Sequence, residues 1–565
     1  MRTRPTAMTS RARILIAALR AFVVVFGTAA LWLSRDAMSP DGVAYLDASD
    51  VYLSGGWPAA GTGYWSPLYP TLLAGARLVA GQGAARELLI AQGVNLLLFL
   101  CTFTALEYLV REVRWTTRAR FPGAPPNDTA WQVLVYAFFG VLTVGWIRVW
   151  TLTPDMAVAA IVFAIAAVCI RLTTGRGRWP SVVVLGLLLG LGYLAKAVLL
   201  PIGVFTLATL AVLLRRRPGD LTQIAVAALI FLGIAAPQIA YTSRLKGSPT
   251  IGDVGRLNYL WFVADVPGPV SSAFPLPARL PSPTAIGQTL TRLDAARGSH
   301  PAVYDIDAPI PGTLPIWYDA GYWYRGVVAP VRPGAIARAL VRHARVYLEL
   351  FGFLLVGGAA AALAGPVSRR LLLAMRPAPV LIVPALAALA LYALVLVQSR
   401  YVAPFALLLF AGLVPPWATD AVSRRLRVGF AVGAVTGLPL IAYQARVDGS
   451  YWHGSAQRRA NVVAALAERG IGPGSRIGFI GEAYDALWAR TARLRFVSLV
   501  PLAEAPRFWE LDPGSRAAVL SHMRQRGAQA IVAEAPALGV DTEGWEPLPS
   551  AGMPRSELIV YTGPR

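Results

Sequence analysis

Residues Ser39 to Pro70 read SPDGVAYLDASDVYLSGGWPAAGTGYWSPLYP and follow the first apolar run, Ile14–Leu33. The stretch opens Ser39-Pro40-Asp41-Gly42, a helix-start signal with a carboxylate in the first turn. Asp41, Asp47 and Asp50 lie beside Tyr45, Tyr52 and Trp57, and a Gly-rich turn leads to Tyr64-Trp65-Ser66-Pro67-Leu68-Tyr69-Pro70. Asp47 and Asp50 read as solvated residues of the same helix. Two readings of Asp41 compete: a plain capping residue in a wet loop, or a carboxylate held among aromatics at a membrane surface. The surroundings decide between them.

Those surroundings are apolar. Of 565 residues, 56% are hydrophobic and 15% charged, and mean hydropathy is +0.54. Such a chain needs many membrane spans to solvate it. The net charge of +22 does not point to nucleic acid, because the arginines cluster in short segments between apolar runs. That is the pattern of cytoplasmic loops. Cys101 and Cys169 sit within apolar runs, and the four histidines show no ligand spacing, so no disulfide framework or His-based metal site is expected. Ile14–Leu33 is span-length with no obvious cleavage site, which reads as a retained first helix.

Charge sidedness fixes the expected topology. Leu68–Ala80 is short and contains Arg77. If it crossed the bilayer, every later basic loop would invert. Placed along the outer surface as an interfacial helix, it leaves twenty arginines on one side, which supports about eleven spans. The N-terminus is then cytoplasmic. Residues 34–86 form a first external loop, Thr153-Pro154-Asp155 and Gln398-Ser399-Arg400 are external turns, and 242–346 is a large external loop. Ser181–Leu214, interrupted by Lys196 and Pro201, reads as two short helices with an external turn between them. From residue 446 apolar runs thin out. Arg476–Gly481, Arg495–Val500, Ala530–Ala535 and Leu558–Gly563 read as strands between helical patterns, which suggests a small external α/β domain over 446–565. The expected fold class is therefore an all-α polytopic membrane protein, residues 1–445, with that domain appended. Gly478-Phe479-Ile480-Gly481 lacks the glycine spacing of a dinucleotide site.

This topology brings Asp41, Asp155, Lys196 and Arg400 to one outer surface. Any one of them alone reads as an interfacial anchor. As a group they have complementary uses. The cations suit a lipid phosphate leaving group, and a carboxylate can take a proton from an acceptor hydroxyl. Tyr45, Tyr64, Tyr69 and Tyr318, with Trp65, Trp317, Trp323 and Tyr324, can stack on sugar faces or form an aromatic belt. Arg35, Arg148 and Arg256 are alternative phosphate ligands on the same side.

The ordered series Pro40-Asp41-Gly42 with Tyr45, Tyr64 to Pro70, Thr153-Pro154-Asp155, Leu194-Ala195-Lys196 and Ser399-Arg400-Tyr401 with Pro404 resembles the GT-C class of integral-membrane glycosyltransferases. The nearest branch is the bacterial relatives of protein O-mannosyltransferases and of the lipid A aminoarabinose transferase. The resemblance covers roughly the first three-quarters of the chain. It implies a polyprenyl-phosphate-linked sugar as donor, an external catalytic cavity and inversion at the anomeric carbon. It also implies Asp41 as base, Asp155 as second acid and Lys196 at the donor phosphate; Arg400, with Tyr401 beside it, is the second candidate for that phosphate. The acceptor would be a cell-envelope glycan, lipid or protein, and the enzyme would be multi-pass in the cytoplasmic membrane. Family members often carry Asp-Glu where this chain has Asp41-Gly42, and an acid–Lys pair where it has Trp65-Ser66. No cofactor follows from the residues; a divalent cation is left open. The competing expectation is a transporter or flippase of a lipid-linked glycan. It would need polar groups lining a path on both sides of the membrane, whereas the non-loop charges here gather on one.

Overall fold

A computed structural model of the chain describes residues 10–55, 62–120, 128–215, 219–266, 290–292, 301, 303–306, 320, 324, 327–363, 378–414, 424–502, 504–537, 539–549 and 557–563. Its helices are, in order, α1 (Ser10–Leu33), α2 (Pro40–Leu53), α3 (Leu68–Ala80), α4 (Glu87–Arg120), α5 (Thr129–Gly140), α6 (Asp155–Thr173), α7 (Trp179–Ala195), α8 (Leu199–Leu214), α9 (Asp220–Lys246), α10 (Val254–Phe262), α11 (Pro333–Leu363), α12 (Pro379–Ala393), α13 (Ser399–Leu413) and α14 (Arg424–Glu468). Among the described residues, α1, α4, α6, α9 and Thr129–Ile147 are long and apolar enough to cross a membrane. Five further apolar helices, α3, α7, α8, α12 and α13, are shorter. The bundle turns large apolar side chains outward, among them Phe22, Val25, Leu97, Leu187, Phe205 and Leu229. Water would penalise that surface and lipid does not. The chain is a multi-pass membrane protein.

Local sequence explains the breaks. Ser39 is extended, and its Oγ accepts the Gly42 amide at 3.2 Å, so α2 begins at Pro40. Between α7 and α8 the chain leaves the helix at Lys196 and re-enters it with Pro201 in the first turn, where a missing N–H costs nothing. The helices α7 and α9 touch closely at Gly186-Leu-Leu-Leu-Gly190. A Cβ on Gly190 would lie 2.6 Å from Ile234 Cβ, and one on Gly186 2.7 Å from Ile230 Cβ. Small residues four apart permit this backbone approach, which lipid cannot drive by hydrophobicity.

The two ends of the bundle differ. Buried Glu112 of α4 meets Arg171 at 3.4 Å and also Arg176. Asp128 bonds Arg114 at 2.5 and 3.2 Å. Two of the basic clusters in the sequence thus converge at the end of α6 opposite Asp155, about 24 Å away along the helix axis.

The C-terminal part adds the short helices α15 (Leu487–Thr491), α16 (Ala505–Trp509) and α17 (Pro513–Gln525) and a seven-stranded sheet. Its strands are β1 (Leu290–Arg292), β2 (Tyr304–Ile306), β3 (Arg476–Gly481), β4 (Arg495–Pro501), β5 (Ala530–Glu534), β6 (Glu546–Pro547) and β7 (Leu558–Tyr561), in the order β1-β2-β4-β3-β5-β7-β6. The central trio β4-β3-β5 is parallel and the flanking pairs are antiparallel. Alternate residues face two apolar clusters, one with Phe479, Trp488 and Phe496, the other with Phe508, Trp509 and Met523. The strands β1 and β2 come from the large loop, with Tyr304 opposite Leu499. Buried Asp305 takes hydrogen bonds from Ser498 at 2.7 Å and His522 at 2.9 Å, tying β2 in place. The boundary drawn at residue 446 falls inside a single helix, since α14 runs unbroken from 424 to 468.

Asp47 and Asp50 correct the expectation of a solvated helix face: they are 0% and 8% exposed. Arg490 of α15 donates to Asp47 at 2.7 Å, Asp50 at 2.5 Å and Glu87 at 3.0 Å. Arg77 of α3 meets Asp50 at 2.6 Å and Glu87 at 3.3 Å, and Arg493 reaches Glu87 at 2.7 Å. Burial alone would raise the Asp50 carboxyl; the guanidiniums of Arg490, Arg77 and Arg493 outweigh it and hold Asp50 below the usual carboxylate range. Three arginines and three carboxylates balance, so the group can be buried without net charge.

The α7–α9 contact yields a prediction. Gly190→Leu forces a branched chain into a 2.6 Å gap and should cost about 1–3 kcal/mol. Thermal unfolding in detergent should show a lowered midpoint, with Gly233→Leu, whose added Cβ meets no neighbour, close to wild type.

Candidate active site

The polar residues that sequence sidedness brought together do meet. A cavity of about 260 Å³ is lined by Asp41, Tyr45, Tyr64, Trp65, Thr153, Asp155, Lys196, Gly252, Asn258, Tyr392, Arg400 and Tyr401, among others. It is close to the lower end of ligand-site volumes, roughly 300–1,000 Å³. A second void of about 20 Å³ lies between apolar helices and holds no charged group.

Each charge is placed by a different element. Asp155 opens α6 and is 2% exposed. The turn before it is held by buried polar residues of α4: Gln92 donates to the Trp150 carbonyl at 2.9 Å and Asn95 to the Thr151 carbonyl at 3.1 Å. Thr102 bonds the Met156 carbonyl at 2.9 Å. Lys196 stands in the turn between α7 and α8, and its Nζ donates to Asp155 Oδ1 at 2.6 Å. Arg400, in the first turn of α13, places Nε 3.8 Å from Asp155 Oδ2 and donates through Nη2 to Asp41 Oδ2 at 3.1 Å. Its Nε also donates to Gln398 Oε1 at 2.9 Å. Asp41 occupies the first turn of α2. The four charges sum to zero. Asp155 is the buried member, while Asp41, Lys196 and Arg400 side chains remain 24%, 17% and 21% exposed.

Aromatic rings close the sides. Lys196 Nζ sits 3.5 Å from the centre of the Tyr401 ring, a cation–π contact. Tyr401 stacks on Tyr392 at 5.5 Å. On the other wall Tyr45 packs edge-on against Trp65 at 4.8 Å, and Tyr64 against Trp65 at 4.7 Å. The third wall is α10, reached through Gly252. Gly252 has φ +136, and a Cβ there would lie 3.3 Å from the Gly63 carbonyl, so glycine fits this close crossing. Val198, Pro201, Leu391, Val395 and Leu396 make the remaining lining apolar.

Some expected residues lie elsewhere. Tyr69 does not line the cavity: it is fully buried behind Tyr45 at 5.2 Å and donates to Asn95 at 2.8 Å. It supports the turn that carries Asp155. Tyr318, Trp317 and Trp323 lie outside the described residues. Tyr324 is buried against Trp261. Arg35 covers Trp32, Arg148 lies 3.8 Å from Asp448, and Arg256 bonds the Val327 carbonyl at 3.1 Å, so none of the three faces the cavity. The sequence reading missed Tyr392, which resembles any aromatic of an apolar helix, and the α10 wall. For α10 the one available signal was Asn258 within an apolar segment.

No family model matches the chain, and no curated protein matches it. Solved structures do. ArnT from Cupriavidus metallidurans bound to undecaprenyl phosphate aligns over 98% of this chain and 99% of that one, at 13% identity and TM-score 0.52. The same protein in the apo state aligns over 98% and 100%, at 16% identity and TM-score 0.43. The Archaeoglobus fulgidus oligosaccharyltransferase in complex with Zn and sulfate aligns over 91% and 68%, at 15% identity and TM-score 0.44. The chain has the fold of the GT-C membrane glycosyltransferases.

The electrostatics of Lys196 can be measured without a substrate. Burial lowers its ammonium to about 8; Asp155 opposes that fall and Arg400 adds to it. The chain has two lysines, Lys196 and Lys246. Amine-directed labelling of Lys196, read by mass spectrometry across pH, should rise with a midpoint near 8 rather than at the ordinary 10.5. Asp155→Asn removes the group that raises it, so the midpoint should move lower still.

Proposed function

We propose that this protein is a glycosyltransferase that moves a sugar from a polyprenyl-phosphate carrier to an acceptor hydroxyl at the outer face of the cytoplasmic membrane. The observation that carries this reading is the meeting, in one cavity, of Lys196 and Arg400 with Asp41, between an aromatic wall and an apolar one. The undecaprenyl phosphate in the ArnT structure, which shares the fold, supports the donor class. The acceptor is a glycan, lipid or protein of the cell envelope.

In this reading the donor phosphate binds at Lys196 and Arg400, with Tyr401 and Tyr392 beneath the cations. The phosphate competes with Asp41 for Arg400, and the carboxylate accepts a hydrogen bond from the acceptor hydroxyl. Asp41 takes the hydroxyl proton as the oxygen attacks the anomeric carbon. The bond from that carbon to the phosphate oxygen breaks, and the leaving phosphate keeps the electron pair under the two cations. One displacement inverts the anomeric centre. Asp155 holds both cations in place and orients the site. Tyr45, Tyr64 and Trp65 offer faces to the sugar. The topology that accompanies this has about eleven spans, with the sheet layer and the cavity external.

With radiolabelled polyprenyl-phosphate sugars and envelope acceptors, Asp41→Asn should keep the fold and lower transfer about 10²–10⁴-fold. Lys196→Gln should weaken donor binding, and Lys196→Arg should keep part of it. Normal donor binding by Lys196→Gln would remove Lys196 from the phosphate site. Reporter fusions after Arg120, Arg217 and Arg427 should be cytoplasmic, and those after Ser54 and Gly247 external. An external signal after Arg120 would overturn the topology.

A further inference from the structure

We infer that Arg490 is a positioning residue for Asp41: the C-terminal layer grips α2 from behind and sets where the carboxylate stands in the cavity. This rests on the transferase reading proposed for the cavity. On a helix, each residue turns about 100°, so Tyr45 lies near the face of Asp41 while Asp50 lies about 180° and Asp47 about 240° around. The front of α2 meets Arg400 at Asp41, and the back meets Arg490 at Asp47 and Asp50. The same guanidinium binds Glu87 at the start of α4, the helix whose polar residues hold the Asp155 turn. One side chain from the sheet layer thus references the two acids of the site to each other.

The local backbone is built for this. The helix α15 ends with the Leu494 amide bonded to the Ala489 carbonyl at 3.0 Å and the Arg493 amide to the Arg490 carbonyl at 3.1 Å. That pattern favours glycine at the left-handed position after the cap. Here Arg493 occupies it with φ +55, and its side chain reaches Asp50 at 3.2 Å and Glu87 at 2.7 Å. The non-glycine residue in a glycine position supplies a second hand to the grip. Tyr484 and Leu487, just before Arg490, pack against the apolar core of the membrane part.

The test is hydrogen exchange read by mass spectrometry on the full chain in detergent, paired with transfer kinetics. Arg490→Gln should speed exchange across 40–53 about ten-fold or more while 92–106 of α4 stays as in wild type. Turnover should fall about ten-fold or more through misplacement of Asp41, with donor KM within about two-fold. Arg490→Lys keeps the charge without the fork and should fall between. Arg469→Gln, which loses the pair with Glu546 and a bond to the Ala465 carbonyl of its own helix, neither of them touching α2 or α4, should change neither measure. If Arg490→Gln also unprotects strands 476–481 and 530–534, the layer has unfolded, and Asp47→Asn serves as the near-isosteric variant with the same expected pattern. Unchanged exchange over 40–53, or full turnover despite a loosened α2, would overturn the inference. If the wild-type chain transfers no sugar from any polyprenyl-phosphate donor, the functional reading fails, and the exchange pattern still decides whether Arg490 fixes α2.

Discussion

A carboxylate that is 2% exposed among apolar helices must be neutralised, and Asp155 is neutralised by two cations at once. Removing Lys196 would leave Asp155 with Arg400 at 3.8 Å, a weaker match for a buried charge. That requirement joins three parts of the chain far apart in sequence: the start of α6, the α7–α8 turn and the start of α13. The helices therefore cannot slide past one another without breaking the ion group. Arg400 then passes the constraint outward to Asp41 at 3.1 Å. The cations are held by a negative partner that is inaccessible to solvent, yet they keep a face toward the cavity. An incoming anion can engage them without Asp155 leaving.

The α4 helix does for the backbone what Asp155 does for the charges. Its Gln92, Asn95 and Thr102 are buried, and all three direct hydrogen bonds to main-chain carbonyls between residues 150 and 156. Main-chain carbonyls at a break inside an apolar bundle need partners, and these side chains add to local backbone bonds such as the Thr153 amide to the Thr151 carbonyl at 2.8 Å. Tyr69 extends the row by bonding Asn95, which connects α3 to the same turn. At the far end Glu112 of α4 gathers Arg171 and Arg176 of the α6 end and the loop beyond it. The two helices are thus pinned at both termini, in parallel, about 24 Å apart along the axis.

Much of this was legible because bilayer physics makes sidedness a strong constraint. Placing the arginine clusters on one side forced Asp41, Asp155, Lys196 and Arg400 to the other, and the structure brings those four to one cavity. The apolar periodicity also located the helices and the pattern of β3, β4, β5 and β7. What could not be read was pairing between segments without local signals. Tyr392 and Gly252 line the cavity because of how α12 and the residues before α10 cross it, and nothing in their neighbourhoods marks that crossing. β1 and β2 are three residues each and gain meaning only as an edge beside β4.

Asp41, Asp47 and Asp50 show why such limits matter. All three are acids on one 14-residue helix, and composition treats them alike. The helix period separates them: the first faces the cavity and Arg400, and the other two face Arg490 and Arg77. On the back face the carboxylates fix the helix against a neighbouring layer, in a group of three arginines and three acids that permits burial. On the front face the carboxylate is half-buried and shares Arg400 with Asp155, at the edge of a cavity where an incoming anion can compete for that cation. The chemistry available to each acid is therefore set by which cation opposes it and how many carboxylates share that cation, a property of the packed neighbours rather than of α2 itself.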